Sequence, residues 1–469
     1  MTNVSTFTYS SVYPCSAREL YDYHARPGAL ERLLPPWERN TLIRRVGSIK
    51  PGGKVLLKIH IGPIPLLWEA HHIEDVPGVR FKDIQHRGPF SQFSHTHSFS
   101  NTEAGCKLDD HINFSLPGQA LLPPIVATQI RKKLQRSFEY RQHVLYEDIL
   151  LHQRYSQKPL SILISGASGT LGKTLVPMLT TGGHKVFTLV RRKPDTDKQE
   201  IYWQPAKGKI DTGNLPPVDA VIHLAGEYIG LTRWSEAKKR RVLESRVKGT
   251  QLLAETIAAL PNPPQVFLSA SAVGYYGDRA DTLLTEEDPP GTGFISNVCA
   301  RWEKAALPAQ KSNIRTIFMR LGVGLTPQGG ALNRLISTSP LAYIRYFGSG
   351  NQYISWMSID DMAAAMLHCL ATPTLSGAVN IAAPSPVTNK ELIEILSRVT
   401  SRPRVHPLPA TLLTTVFGQM ASEIMLSSCR VSCGKLQDSG FRFRHENLES
   451  TLRRILGKKI PGSHGEERP

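Results

Sequence analysis

The chain has 469 residues, with 56 Lys and Arg against 39 Asp and Glu and a formal charge of +17. That length points to two or three domains, and a composition 41% hydrophobic and 20% charged excludes disordered and fibrous classes. The basic excess is spread along the chain, so nucleic acid is at most a minor alternative partner. Runs such as Arg131-Lys132-Lys133 and Lys238-Lys239-Arg240-Arg241 lie in helical patterns and read as solvated faces.

No apolar run reaches the roughly 18 residues that suggest a membrane span. Met1-Thr-Asn-Val-Ser-Thr-Phe7 carries no basic segment followed by an apolar one, so a secretory signal is not expected. Six scattered cysteines read as reduced thiols, which predicts a cytoplasmic protein. Cys429 and Cys433 are the one close pair, and no second Cys or His pair accompanies them, so no metal site is expected there.

Residues 1–158 behave as one unit. Thr6–Tyr13 alternates as a strand. Ser16 precedes a helical pattern to His24, with Glu19 three residues on as in a capping box. Strand candidates follow at Lys54–Ile61, Pro65–Ile73, Arg80–Gln85, Ser91–Ser100 and Cys106–Phe114, separated by glycine turns. A long helical pattern from Pro123 to about His152 closes the unit. His95 and His97 share a strand face by alternation. No third ligand is evident beside them, so they read as polar strand residues. The order of elements resembles the START-like, helix-grip superfamily, which includes polyketide cyclase/dehydrase-like ligand-binding domains. That resemblance implies an α+β fold around a cavity and a small apolar ligand.

A new domain begins at about Leu160. The apolar run Leu160–Ile164 reads as a buried strand, and Gly166-Ala-Ser-Gly169-Thr-Leu-Gly172 follows it, with Leu171, Leu175, Val176 and Leu179 at helical spacing. Strand, glycine turn and helix in that order form the context of a dinucleotide-binding turn. The missing Cβ atoms admit a pyrophosphate, and the helix N-terminus offers free N–H groups. Lys185–Val190 reads as the second strand. Arg191, Arg192 and Lys193 follow it where an acid would select ribose hydroxyls, so a 2′-phosphate and hence NADP(H) are expected. Val218–Gly226 is a further buried strand, ending His223-Leu224-Ala225-Gly226. Helical material runs from Ser235 to Leu260. Gln265–Gly277 contains the next strand, ending in Ser271 and the pair Tyr275-Tyr276.

These segments resemble extended short-chain dehydrogenases/reductases. They are closer still to an atypical subgroup described as epimerase family proteins, with Cys299-Ala-Arg-Trp-Glu303, Gly348–Trp356, Asp360-Asp361, Val379-Asn-Ile-Ala and the block from about Pro403 to Leu456 extending the match. The resemblance implies an α/β fold: a Rossmann-type, doubly wound parallel sheet over 160–386, a mostly helical C-terminal cap over 387–456, and a flexible tail over 457–469. It implies that Gly166, Ser168, Gly169, Thr170, Leu171 and Gly172 cradle the pyrophosphate of NADP(H). Arg191 and Arg192 would hold the 2′-phosphate, and Leu224, Ala225 and Gly226 would line the adenosine half. Arg246, at the first position of the family's Asn-x-x-Gly-Thr segment, would reach a cofactor phosphate.

The family's usual chemistry needs a Ser and a Tyr-x-x-x-Lys pair, in which the lysine lowers the tyrosine pKa. Ser271 matches the serine. Counting back from Glu303 places Ile295 at the tyrosine and Cys299 at the lysine, and neither side chain can do that work. Tyr275 and Tyr276 are the nearest substitutes. The expectation is an NADP(H)-dependent oxidoreductase or epimerase acting on a small hydroxy or carbonyl compound, with a non-catalytic NADP(H)-holding sensor as the alternative.

Overall fold

The computed structural model describes residues 4–118, 123–155, 158–230, 232–337, 343–402 and 404–461. They form two compact units. One is built on residues 1–156, with 180–183 and the segment from 454 onward grouped with it; the other takes 157–179 and 184–453.

In the first unit, β1 (Ser5–Tyr13) leads to two short helices, α1 (Ala17–Ala25) and α2 (Ala29–Leu33). Then come β2 (Thr41–Val46), β3 (Lys54–Ile61), β4 (Ile64–Val76), β5 (Arg80–Arg87), β6 (Gln92–Thr102) and β7 (Gly105–Ser115), and last α3 (Pro124–Arg154). The sheet is antiparallel in the order β1-β7-β6-β5-β4-β3-β2. Ser16 caps α1 by accepting the Glu19 N–H at 3.2 Å, as the sequence predicts. Side chains of α1 and α3 bury against the sheet: Leu20, Phe81, Phe99, Leu145 and Ile149 in one cluster, Phe7, Phe93, Ile112, Phe114 and Phe138 in another. Inside this packing Arg32 forms a bidentate pair with Asp148 at 2.8 Å, and the Tyr23 hydroxyl donates to the same carboxylate at 2.9 Å. Two elements escape the sequence pattern. Helix α2 has five residues, too few to show a period. Strand β2 is an edge strand whose residues are all exposed or half-buried, so it lacks alternation.

The second unit contains a sheet in the order β11-β10-β9-β8-β12-β13, continued by the strands Arg315–Leu321 and Gly377–Ile381. These labels denote β8 (Ser161–Ser165), β9 (Lys185–Val190), β10 (Glu200–Gln204), β11 (Lys209–Ile210), β12 (Ala220–His223) and β13 (Val266–Ala272). Every pairing is parallel except β10 with β11. The helices α4 (Thr170–Thr181), α5 (Glu236–Ala258) and α6 (Phe294–Ala305) connect these strands. This is a Rossmann-like α/β fold. Chain order reverses between β8, which runs out to β9 on one side, and β12 on the other, and ligands of open parallel sheets bind at the carboxyl ends of strands at such a point. Strand β8 is buried from Ile162 to Ser165, which explains its unbroken apolar run.

Asp360 and Asp361 stand in the first turn of the helix Ile359–Ala371, where the dipole favours them. Asp361 does more than that. It is fully buried and accepts the backbone N–H of His445 at 2.9 Å and Arg444 Nε at 3.1 Å, anchoring the C-terminal segment. Among the described residues, no helix is long and apolar enough to cross a membrane.

Candidate cofactor and active site

The glycine turn leaves β8 at Gly166, whose φ of +77° is a left-handed conformation that favours glycine. A Cβ there would lie 2.7 Å from the Leu224 carbonyl carbon, so the turn presses directly on the end of β12. A Cβ on Gly172 would fall 2.5 Å from the Gly166 carbonyl oxygen and 2.6 Å from Ala167 Cα, so backbone packs where a side chain would be. The Gly169 N–H closes the turn onto the Gly166 carbonyl at 3.0 Å. Ser168, Gly169 and Thr170 stand exposed at the opening turn of α4, and Leu171 is half-buried. The first N–H groups of a helix have no intrahelical partner, which suits an anion.

Ser165 and His223 lock the two sides of this point together. Ser165 Oγ and His223 Nδ1 are 2.6 Å apart, and Ser165 Oγ accepts the Leu224 N–H at 3.2 Å. His223 is fully buried, and burial pushes its pKa down to about 3, so it is a neutral structural group. Leu224 and Ala225 are half-buried and Gly226 is exposed, lining the edge of the same crevice.

Arg191 and Arg192 are exposed at the carboxyl end of β9. Arg192 Nη2 pairs with the carboxylate of Glu200 at the start of β10, and Arg192 Nη1 donates to the Lys193 carbonyl at 3.0 Å. Glu200 is an acid beside the basic pair that the sequence did not reveal, because it belongs to a strand of only five residues.

Arg246 is turned inward. Its Nη1 donates to the carbonyls of Glu227 at 2.9 Å and Val242 at 3.2 Å, and its guanidinium lies 4.9 Å from the Trp302 ring centroid. These contacts make it a brace between α5 and the loop after β12; the expected reach to a phosphate is replaced by packing beside Gly226.

The catalytic candidates part company. Ser271 is buried, and its hydroxyl donates to Glu303 Oε1 at 2.6 Å. Glu303 is gripped by Arg320, with Nε at 3.0 Å and Nη2 at 3.1 Å from its two oxygens. Arg320 Nη1 donates to the Tyr276 hydroxyl at 2.9 Å, and Tyr276 donates onward to Asn380 Oδ1 at 2.8 Å. Tyr276 is fully buried, and burial pushes its pKa up to about 12. Its hydroxyl is thus spent on the interior. Tyr275 is half-buried, with the Arg320 guanidinium 3.6 Å from its ring centroid, and its hydroxyl has no partner among the described residues. The sequence did not single out Arg320, although a charge inside an apolar strand was the available signal.

Ile295 and Cys299, at the places of the usual tyrosine and lysine, lie in an apolar cluster with Trp234 and Met420. Burial pushes the Cys299 thiol up to about 12, so it is not a nucleophile at neutral pH. Glu423, from the C-terminal part, covers the start of α6 by accepting the N–H groups of Phe294 at 3.0 Å and Ile295 at 2.8 Å.

In the first unit, a small pocket of ≈ 20 Å³ is lined by Tyr9, Tyr13, His24, His97, Asp110 and Arg141 together with further polar and apolar side chains. Asp110 Oδ1 lies 2.9 Å from His95 Nε2 and 2.7 Å from His97 Nδ1. These imidazoles hold its carboxyl well below the usual carboxylate range, and burial lowers the pKa of both histidines. The sequence found the two histidines but not Asp83 and Asp110, which only the strand register brings beside them.

A family model described as the NAD dependent epimerase/dehydratase family matches residues 162–382, and a model described as a domain of unknown function matches 408–455. An epimerase family protein of Mycobacterium bovis is 38% identical over 291 residues, covering 62% of this chain and 96% of that protein. The human epimerase family protein SDR39U1 is 33% identical over 301 residues, 63% of this chain and 100% of the relative. A Corynebacterium glutamicum structure described as a nucleoside-diphosphate sugar epimerase superposes with a TM-score of 0.78 at 31% identity, covering 96% of this chain and 90% of that one. The human SDR39U1 structure with NADPH superposes with a TM-score of 0.58 at 31% identity over 63% of this chain and 99% of its own. The crevice at the β8–β12 switch point and these likenesses agree: the chain belongs to the NAD dependent epimerase/dehydratase family.

Proposed function

We propose that the second unit binds NADP(H) and uses it in oxidoreduction or epimerisation of a small hydroxy or carbonyl compound. One observation carries the reading: a backbone cradle that excludes Cβ atoms stands at the switch point, with the exposed guanidinium groups of Arg191 and Arg192 at the end of the adjacent strand. Gly166, Gly169 and Gly172 let the pyrophosphate approach, and Ser168, Thr170 and Leu171 present the N-terminus of α4 to it. Arg191 and Arg192 pair with a 2′-phosphate, and Leu224, Ala225 and Gly226 line the adenosine side. A relative solved with NADPH supports the choice of NADP(H) over NAD(H). Bound there, the cofactor supplies or accepts a hydride. Tyr275, with its uncommitted hydroxyl, is the group placed to hold or move a proton, while Ser271 positions Glu303 and Arg320 beneath it. The first unit, with a sheet packed on a long helix and a cavity among them, is read as a START-like module for a small ligand.

A second reading is favoured by the Ile295 and Cys299 cluster, which replaces the usual proton-transfer pair with apolar surface. In it the protein holds NADP(H) as a ligand or redox sensor without turnover. Screening carbonyl compounds and nucleotide sugars for NADPH oxidation separates the two. Turnover lost in Tyr275→Phe supports the enzyme. Saturable NADPH binding with no oxidation of any substrate class supports the sensor.

A further inference from the structure

We propose that Asp83, His95 and His97 form a binding site for a divalent transition-metal ion within the first unit, with Asp110 orienting the two imidazoles. The register builds it. Asp83 on β5 stands directly opposite His95 on β6, and His97, two residues on and therefore on the same face, stands opposite Asp110 on β7. Four polar groups thus occupy one block of a sheet face, with His72 on β4 opposite Asp83 and with Phe138 and His24 packed against the two histidine rings.

One donor atom from each of Asp83, His95 and His97 lies within 4.8 Å of the others. Metal–nitrogen and metal–oxygen bonds of about 2.0–2.2 Å require donors about 3–3.5 Å apart, so a small rotation of the side chains completes the site. The hydrogen bonding is arranged for it. Asp110 Oδ1 is hydrogen-bonded to His95 Nε2 at 2.9 Å and lies 2.7 Å from His97 Nδ1, which is buried and makes no well-aligned hydrogen bond. No donor among the described residues reaches the Asp83 carboxylate either. A part-buried carboxylate facing two such imidazoles is a costly arrangement alone and a favourable one around a cation. Carboxylate–histidine pairs behind a metal fix ring orientation in just this way.

The donor set selects the ion class. Two imidazoles and one carboxylate suit zinc, iron(II), manganese or cobalt, whereas calcium and magnesium prefer all-oxygen shells. Three protein ligands leave a coordination position for water or a small ligand. The adjoining pocket of ≈ 20 Å³, lined by His97, Asp110 and Arg141, has room for a water molecule at that position. Arg141 Nε is buried without a hydrogen-bond partner, which fits an anionic group on the ligand.

The test uses full-length protein purified without a metal-chelating tag, stripped with chelator, and titrated with Co²⁺ and Zn²⁺. Visible d–d absorption reports Co²⁺ and thermal unfolding reports Zn²⁺. The expected result is one equivalent bound per chain, a raised unfolding midpoint, a loss of at least about 100-fold in affinity for Asp83→Asn or His97→Gln, and about 10–100-fold for Asp110→Asn. Absence of stoichiometric binding in the wild type at 100 µM metal, about a hundredfold above a micromolar Kd, overturns the site, whatever the variants do. Folded variants that bind as the wild type does overturn it too. Binding of NADPH does not enter the readout, so this result and the cofactor reading succeed or fail separately.

Discussion

Ser271 Oγ donates to Glu303 Oε1 at 2.6 Å while Arg320 holds both oxygens of the same carboxylate. The serine that the family would offer to a substrate is therefore tied to a buried ion pair. Ser271→Ala is expected to cost about 1.5–3 kcal/mol of stability, the range for a hydrogen bond to a charged group. Glu303→Ala is expected to cost more, about 3–5 kcal/mol, because it strands the Arg320 charge. Urea unfolding of both variants checks the order, with NADPH affinity unchanged in whichever variant stays folded.

The two tyrosines are expected to separate cleanly. Tyr276→Phe removes a hydroxyl shared by Arg320 and Asn380 and lowers stability by about 1–3 kcal/mol. Tyr275→Phe removes a hydroxyl with no partner among the described residues, so stability is unaltered. If the protein turns over substrate, that variant lowers kcat by about 10²–10⁴. Steady-state kinetics beside thermal melts makes the distinction.

Arg192 is paired with Glu200, so a bound 2′-phosphate must compete with a carboxylate. Arg192→Ala is expected to weaken NADPH by about tenfold or more and leave NADH unaffected, following the 1.5–3 kcal/mol of a charge-assisted contact. Glu200→Gln frees the guanidinium and is expected to tighten NADPH. Fluorescence titration of both variants against both nucleotides reads the effect.

The Cβ of Gly172→Ala would enter backbone at 2.5–2.7 Å, with no flexible side chain to give way. Cofactor affinity and unfolding midpoint are expected to fall together. Gly169→Ala, whose Cβ would meet only the Gly166 oxygen at 3.2 Å, is expected to be milder in stability.

Acid sensitivity follows from His223. Its folded pKa of about 3 lies below the unfolded value near 6.5, so between those values the unfolded chain binds a proton that the native state refuses. Stability therefore falls as pH drops from 6.5 towards 3, by up to about 1.4 kcal/mol per pH unit from this group. His24, pushed down to about 4 by burial, adds to the slope. A pH series of urea midpoints checks it, and His223→Asn is expected to flatten the curve.

The cofactor crevice was legible because each of its parts is local: an apolar run, three glycines and two arginines within 32 positions of one another. Arg246 misled because its helical position suggested reach, whereas burial beside Trp302 decides where the guanidinium goes. Tyr276 and Tyr275 are adjacent and chemically identical in sequence; only the partners Arg320 and Asn380, 44 and 104 residues away, distinguish them. The Asp83–His95 pairing was invisible for a related reason. Register between β5 and β6 is fixed by packing across the whole sheet. The edge strand β2 and the short strands β10 and β11 carried too little pattern to be found.

The central claim is that the switch-point crevice holds NADP(H). Titration of the purified full-length chain with NADPH and NADH in parallel, followed by nucleotide fluorescence, tests it most directly. Saturable NADPH binding at least about tenfold tighter than NADH, with that preference lost in Arg192→Ala, is the predicted result. Equal affinity for the two nucleotides, or no binding of either, would contradict it.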